Sequence, residues 1–458
     1  MRLSKFSSFY ISIFLSIFLF SCEKDDLSKN IISDQENESL EDYIYNTNDL
    51  SDYIYDQSEL HRFDIIISQE NLNLINNDPT AEQYVDASFI FEDKIIRDVG
   101  VRYKGSIGAF VGCLSGSDWS NPSGYKTCPK LSMKIKINFK EDKKFYDLKK
   151  LQFHSQNLDP TKMRERLGYY MFRNFGIAAP RSNHALIYIN GEFNGVFANT
   201  EQIDGPFTNK NFINKGGNLY KEVWPIDDQG KNNNIDYFKN GLKTNEEISD
   251  VSIIKKFSDE LAEIDYSDSW SVVQSYIDKD IFLKTLVVDR RIANDDGFLH
   301  FYLTENGNYE NHNFYWYEDP VNNNFQLIPW DLDNAFENLV VDSNPVTPIK
   351  DNWYEISNNC LGFNYGMFNL MQKSAACDKI IGSFKEFVDS FYQIDSVFTN
   401  TLFNTQKINT LLDAWSDQIR SSVIDANEKY KNKEPGEQEW LSSLNNFKNL
   451  IDLSLQNN

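Results

Sequence analysis

Positive charge, histidine and long apolar runs are what this chain has little of, and each shortage removes a class of function. Against 68 Asp and Glu stand 45 Lys and Arg, a formal charge of −23. Such an excess repels phosphate backbones and anionic lipid surfaces, so a nucleic-acid partner is set aside. Its simplest meaning is solubility; it also suits holding a divalent metal or attracting basic partners. The five histidines, His61, His154, His184, His300 and His312, form neither an HExxH motif nor a close pair. A His-based nucleophilic triad is therefore not expected, and Ser106 stands outside any GxSxG setting, against an α/β-hydrolase. No paired CxxC or nearby histidine cluster points to zinc. Beyond residue 20 no apolar run approaches the roughly 20 residues of a membrane-spanning helix.

What is present begins at the N-terminus. Arg2 and Lys5 precede an apolar run over residues 6–20, broken only by serines and Tyr10, and then Ser21-Cys22. A positive start, a short apolar run and a small residue before the cut describe a secretory signal over residues 1–21. The cysteine directly after Ser21 resembles a lipobox, in which Cys22 is acylated and becomes the new N-terminus. The following acidic tract, Glu23-Lys24-Asp25-Asp26, resembles the surface-export tag of Bacteroidetes lipoproteins. Together they imply an exported lipoprotein held by lipid at the outer membrane or cell surface. Residues 22–60, rich in Asp, Glu, Asn and Ser, read as a flexible tether.

If Cys22 carries lipid, Cys113, Cys128, Cys360 and Cys377 remain. Four cysteines allow three pairings; in an oxidising compartment the two short loops, 113–128 and 360–377, are the first expectation. The remaining chain carries 34 Phe, 24 Tyr and 8 Trp, enough for a large core.

Alternation predicts strands over 63–67, 87–91, 99–103 and most cleanly 131–139, with one face packed and the other polar. A helix is expected over 69–77. Asp159 and Pro160 should open another over about 163–175, stopped by Gly176. Asn190-Gly191 marks a hairpin between 185–189 and 195–198. Helices then dominate from residue 250 onward (251–261, 279–292 and most of 380–455), interrupted by a second hairpin of 314–317 and 325–330. The order is α+β with two lobes, strand-rich over about 61–205 and helix-rich over about 206–458.

Carboxylates and amides gather in one stretch: Asn294-Asp295-Asp296, Asn313, and Asp331 with Asp333. Hard oxygen donors at the ends of elements suit Mg²⁺ or Mn²⁺, although Asp and Asn also abound in ordinary turns. Basic residues gather earlier. Arg102 and Lys104 share one strand face, as do Lys134 and Lys136. Outward lysines are usually just solvated, but facing a cleft they would grip a phosphate, with Glu165 placed to pair with one.

Several segments resemble, in order, the CotH family of spore-coat atypical protein kinases: VGVRYKG (99–105), KLSMKIKINF (130–139), LDPTKMRE (158–165), GIAAPRS (176–182), INGEFNG (189–195), Glu201, NDDG (294–297), NFY (313–315) and IPWDLD (328–333). The resemblance covers roughly residues 60–340. It implies a kinase-like two-lobed fold and transfer of the ATP γ-phosphate to Ser or Thr hydroxyls with Mg²⁺ or Mn²⁺. By motif, Asp296 would be the catalytic Asp, with Asp295 as its rival by a one-residue shift. Asn313, Asp331 and Asp333 would face the metals. Lys134 is the first choice for the phosphate lysine, Lys136 and Lys104 its rivals, with Arg102 nearby. Glu165 would steady the lysine, and Glu201 would line the nucleotide pocket. The family's Asn and Ser after the R-x-K-G strand are replaced here by Ser106-Ile107-Gly108. Asp296 and Asn313 also stand far enough apart that the segment between them must be looped out. The competing readings are a non-catalytic surface module on the same fold, binding a protein or glycan, and a metal-dependent phosphoester hydrolase.

Overall fold

The computed structural model describes residues 41–42, 50–105, 107–118, 120–339, 353–365, 369–431 and 433–456. The expected signal, Cys22, most of the acidic tether and Ser106 lie outside them. Among the described residues no helix is long and apolar enough to cross a membrane.

The first half builds one sheet. Its strands are β1 (His61–Ile67), β2 (Val85–Phe91), β3 (Lys94–Tyr103), β4 (Met133–Lys136), β5 (Lys150–His154), β6 (Ser182–Ile189) and β7 (Glu192–Thr200). They run in the order β3-β2-β1-β6-β7-β5-β4, and β4 pairs again with β3, so the sheet closes on itself. Glu41–Asp42 adds a short parallel pairing beside β3. The expected alternation is kept. Leu131, Met133, Ile135 and Ile137 are buried inside the closed sheet with Phe63, Phe89, Val101 and Phe153, while Lys134 and Lys136 stay partly exposed on the other face. The strand itself is shorter than the pattern, because the chain turns after Lys136. Asn190 (φ 50°) and Gly191 (φ 80°) both adopt the left-handed backbone that a two-residue hairpin turn demands.

The helix α1 (Gln69–Asn77) lies where expected. The helix α2 (Arg164–Asn174) starts a few residues later than its signals suggest, and Pro160 is not at its first position. Asp159 explains this. Its Oδ1 accepts the Thr161 N–H (2.9 Å) and its Oδ2 the Arg164 N–H (3.0 Å), so a tight turn precedes the first helical turn. Leu167, Tyr169, Met171 and Phe172 bury the inner face of α2, and Gly176 (φ 86°) follows its end.

The second half holds α3 (Ser252–Glu263), α4 (Lys279–Arg291), α5 (Val388–Thr401), α6 (Thr405–Lys429) and α7 (Glu437–Gln456). A three-stranded sheet of β8 (Asn218–Lys221), β9 (Phe314–Glu318) and β10 (Phe325–Pro329) packs on its own small core of Phe207, Leu219, Tyr317 and Ile328. The class is mixed α+β, with strands concentrated before residue 205 and helices after it. Between α6 and α7, Glu434 reaches back to the segment ahead of α2. Its carboxylate holds the buried ammonium groups of Lys130 (3.0 Å) and Lys162 (3.1 Å), and Trp440 donates its indole N–H to the Thr161 carbonyl (3.0 Å). Both disulfides join the near neighbours, Cys113–Cys128 and Cys360–Cys377.

Two expectations need correction. Part of the stretch expected as tether packs on the fold: Ile54 and Tyr55 are buried, and Asn183 and Asn199 donate to the Ile54 carbonyl (3.2 and 3.0 Å). The polar composition of this stretch concealed two apolar anchors. Glu201 does not line the cleft that holds Lys134 and Asp296. It is buried (1% exposed) and holds Arg181 through both oxygens, while Arg181 also lies over the Tyr55 ring and pairs with Asp52 at 2.7 Å. Glu201→Ala leaves that guanidinium buried without its main partner, and should cost about 3–5 kcal/mol of stability, read as a lower urea midpoint.

Candidate active site

The register of the closed sheet sets three side chains in one row. Arg102 of β3 lies opposite Lys134 of β4, which lies opposite Gln152 of β5. Lys104 follows β3 on the same face, its N–H bonded to the Ser132 carbonyl (2.9 Å). Across from them stand Glu165 at the start of α2, Asp296 after α4, Asn313 before β9, and Asp331, Asp333 and Asn334 after β10. All line one cleft of about 520 Å³. Glu201 is absent from its walls, where Gln202 stands instead, and Lys136 is one pair further along, opposite Gly100 and Lys150.

Asp296, not Asp295, faces this cleft. Asp295 turns away, accepting from Asn338 (2.9 Å) beside Arg290 and His300. The intervening segment is looped out as anticipated: Phe301–Leu303 and Tyr309–Glu310 pair as a small hairpin. Asn313 thereby returns to Asp296, donating its amide to the carboxylate (3.0 Å) and to the backbone carbonyl (2.8 Å). His312 (2.9 Å) and Asn334 (3.2 Å) also donate to this carboxylate. Burial opposes its charge, but the bond and charge of His312 and the further donors hold Asp296 below the usual carboxylate range. Burial likewise opposes a charged His312, and Asp296 outweighs it, raising the imidazole.

Asp331 and Asp333 behave in the opposite way. Burial pushes both up, and each feels Glu165 and Asp296. Asp331 is partly relieved by the Lys104 ammonium, whereas Asp333 is pushed further by Asp331 itself and stands well above the usual range. These are carboxylates short of positive charge. Among the described residues no three His, Cys, Asp or Glu side chains are grouped to hold an ion by themselves. That donor set fits a metal carried on a nucleotide, since Mg²⁺ commonly takes one or two carboxylates and completes its shell with waters and substrate phosphates.

The basic wall is equally unbalanced. Burial, then Lys104, Arg102 and Lys150, push Lys134 down to about 6. Arg102 is engaged by Glu82 and lies over the Tyr84 ring at 5.1 Å. Lys104 reaches the Nε2 of His154 (2.7 Å), whose Nδ1 meets Glu165 (2.6 Å). The expected pairing of Glu165 with Lys134 is thus not formed. Glu165 is linked to Lys104, because β5 places His154 between them. Glu222, Asn313 and Asp331 all line the cleft with left-handed backbones (φ 52°, 61° and 54°), strain of order 1–3 kcal/mol each that tends to gather at working sites.

Sequence reasoning missed His154, His312, Asn334 and Glu222. The histidines were weighed as nucleophile partners, whereas both serve as carboxylate partners; the adjacency of His312 to Asn313 was the one available signal for it.

A closed sheet thus sets cations on one wall of a cleft whose other wall carries carboxylates. The chain belongs to the family described as CotH kinase protein, whose profile matches residues 101–456. The match reaches through the C-terminal helices, well past the segments that carried the resemblance. The chain is also similar to the inner spore coat protein H of Bacillus subtilis (strain 168), 23% identical over 206 residues. That alignment covers 43% of this chain and 52% of the relative, so the chain spans about half of the relative's length.

Because Lys134 is largely neutral above pH 6, a phosphate bound beside it should draw a proton back onto it. Polyphosphate binding at pH 7.5 should take up about one proton and weaken as pH rises, and Lys134→Met should abolish the uptake. Calorimetry of pyrophosphate binding in two buffers of different ionisation enthalpy measures it. In the free protein the unfolded state holds the proton and the native state does not, so this group's contribution to stability rises with pH above 6.

Proposed function

We propose that this chain is an exported, lipid-anchored protein kinase that transfers the γ-phosphate of ATP to Ser or Thr hydroxyls of surface proteins or of itself. The observation that carries the reading is the charge segregation of one cleft: Lys104, Lys134 and Arg102 on one wall, Asp296, Asn313, Asp331 and Asp333 on the other. Phosphoryl transfer needs little covalent help and depends on positioning and charge. Lys104 and Lys134 hold the phosphates as point charges. Asp331 and Asp333, with Asn313, would hold Mg²⁺ or Mn²⁺, which when bound neutralises charge on the phosphates. Asp296, kept ionised by three donors, orients the acceptor hydroxyl and receives its proton. Membership of a family described as kinases supports the reaction class. Two disulfides support an oxidising compartment, in keeping with export.

The test is transfer of labelled γ-phosphate by the purified protein to itself and to casein, with Mg²⁺ and with Mn²⁺. Asp296→Asn should lower the rate by about 10²–10⁴-fold, and Asp331→Ala should lose the metal-supported transfer. Wild-type transfer no greater than that of Asp331→Ala would end the kinase reading. No thermal stabilisation by ATP and metal would favour the non-catalytic module, and phosphate release without any acceptor the hydrolase.

A further inference from the structure

We infer that His154 is a positioning residue that carries Lys104 in place of a direct ion pair between Lys104 and Glu165. This deepens the kinase reading, on which the role of Lys104 depends.

The geometry is a three-part chain. Lys104 Nζ lies 2.7 Å from His154 Nε2, and His154 Nδ1 lies 2.6 Å from Glu165 Oε1. An ammonium donates and cannot accept, so Nε2 must present its lone pair. The ring proton then sits on Nδ1 and donates to the carboxylate, the tautomer that a carboxylate partner ordinarily imposes on an imidazole. Glu165 is itself fixed: it is buried, and Thr200 donates to the same oxygen (2.8 Å). Trp330 fixes the other end. Its ring meets His154 edge-on at 5.8 Å and lies 5.3 Å from the Lys104 ammonium. His154 closes β5, paired with Ala198 of β7, so its backbone is held by the sheet.

The arrangement has a chemical consequence. A carboxylate touching Lys104 would compete with a phosphate for the same N–H bonds and would repel the phosphate. The imidazole holds one N–H of the ammonium through its Nε2 lone pair and leaves the other donors to a ligand, while the carboxylate is kept one ring further away. His154 thus aims Lys104 without neutralising it. An amide of suitable reach can imitate both bonds, since the Gln side chain offers a carbonyl to accept and an N–H to donate. A leucine can imitate neither.

The experiment compares wild type, His154→Gln and His154→Leu, each checked for folding by circular dichroism. Two quantities are read: the affinity for ATP with Mn²⁺ from thermal shift, and the rate at which an amine-acylating reagent modifies Lys104, followed by peptide mass spectrometry without nucleotide. His154→Leu should weaken ATP by about tenfold, and should speed Lys104 acylation by about fivefold, because a buried lysine that loses its acceptor is more often neutral. His154→Gln should stay within about twofold to threefold of wild type in both. The proposal is overturned if His154→Leu matches wild type in both quantities, or if His154→Gln fails as fully as His154→Leu. Should wild type show no response to ATP and Mn²⁺, the kinase reading falls, and the acylation comparison alone still decides whether His154 holds Lys104.

Discussion

Unlike charges, withdrawn from water and held apart across one cleft, are the constraint on which the rest of the structure turns. Lys134 is driven down to about 6 by burial among other cations, and Asp333 is driven well up by burial among other carboxylates. Neither set collapses onto the other, because each is mounted on rigid elements. The cations stand on adjacent strands in fixed register. The carboxylates stand where strands and helices end, on backbone that is partly left-handed. Side chains on flexible loops would form ordinary surface ion pairs and forfeit the separation. An unneutralised cleft is costly to keep, and such perturbed groups gather at working sites.

The supports for that separation come from far along the chain. Glu434, between α6 and α7, pins Lys130 and Lys162, and Lys162 in turn offers its carbonyl to His184 (2.7 Å). The segment that launches α2, and with it Glu165, is thereby clamped from behind. Arg181 and Glu201 hold the residue 51–55 segment against the sheet. None of these paired side chains lines the cleft, yet they fix the platform from which the cleft residues project.

Strand alternation was readable in the sequence because a closed sheet has an apolar inside and a polar outside at every second residue. Leu131, Met133, Ile135 and Ile137 announced their face without ambiguity. The helix start after Asp159 was nearly readable and missed only the extra turn that the Asp159 side chain stabilises. Eight site residues taken from ordered motifs do meet in one cleft. What could not be read was which lysine meets Glu165. Lys104 and Lys134 are both outward cations on neighbouring strands, and no local pattern separates them. The answer depends on a third strand delivering His154 between Lys104 and Glu165, a contact between residues distant in sequence. Glu201 failed for the same reason in reverse: a motif position does not reveal whether a carboxylate faces a cleft or a buried Arg181.

The disulfides connect the chain's chemistry to its surroundings. Cys113–Cys128 ties the excursion between β3 and β4, the two strands that carry the cleft cations. Closing a loop of this size stabilises a fold by about 3 kcal/mol in the chain-entropy view, and here the closed segment leads from Lys104 directly to Lys134. Cys377, of the second disulfide, lines a neighbouring cavity that shares Glu222 with the cleft. Reduction would remove both staples and loosen the connection between the two cation-bearing strands before touching any charged side chain. The separation of charge that defines the site therefore rests on the cystine beside it as well as on the register of the sheet.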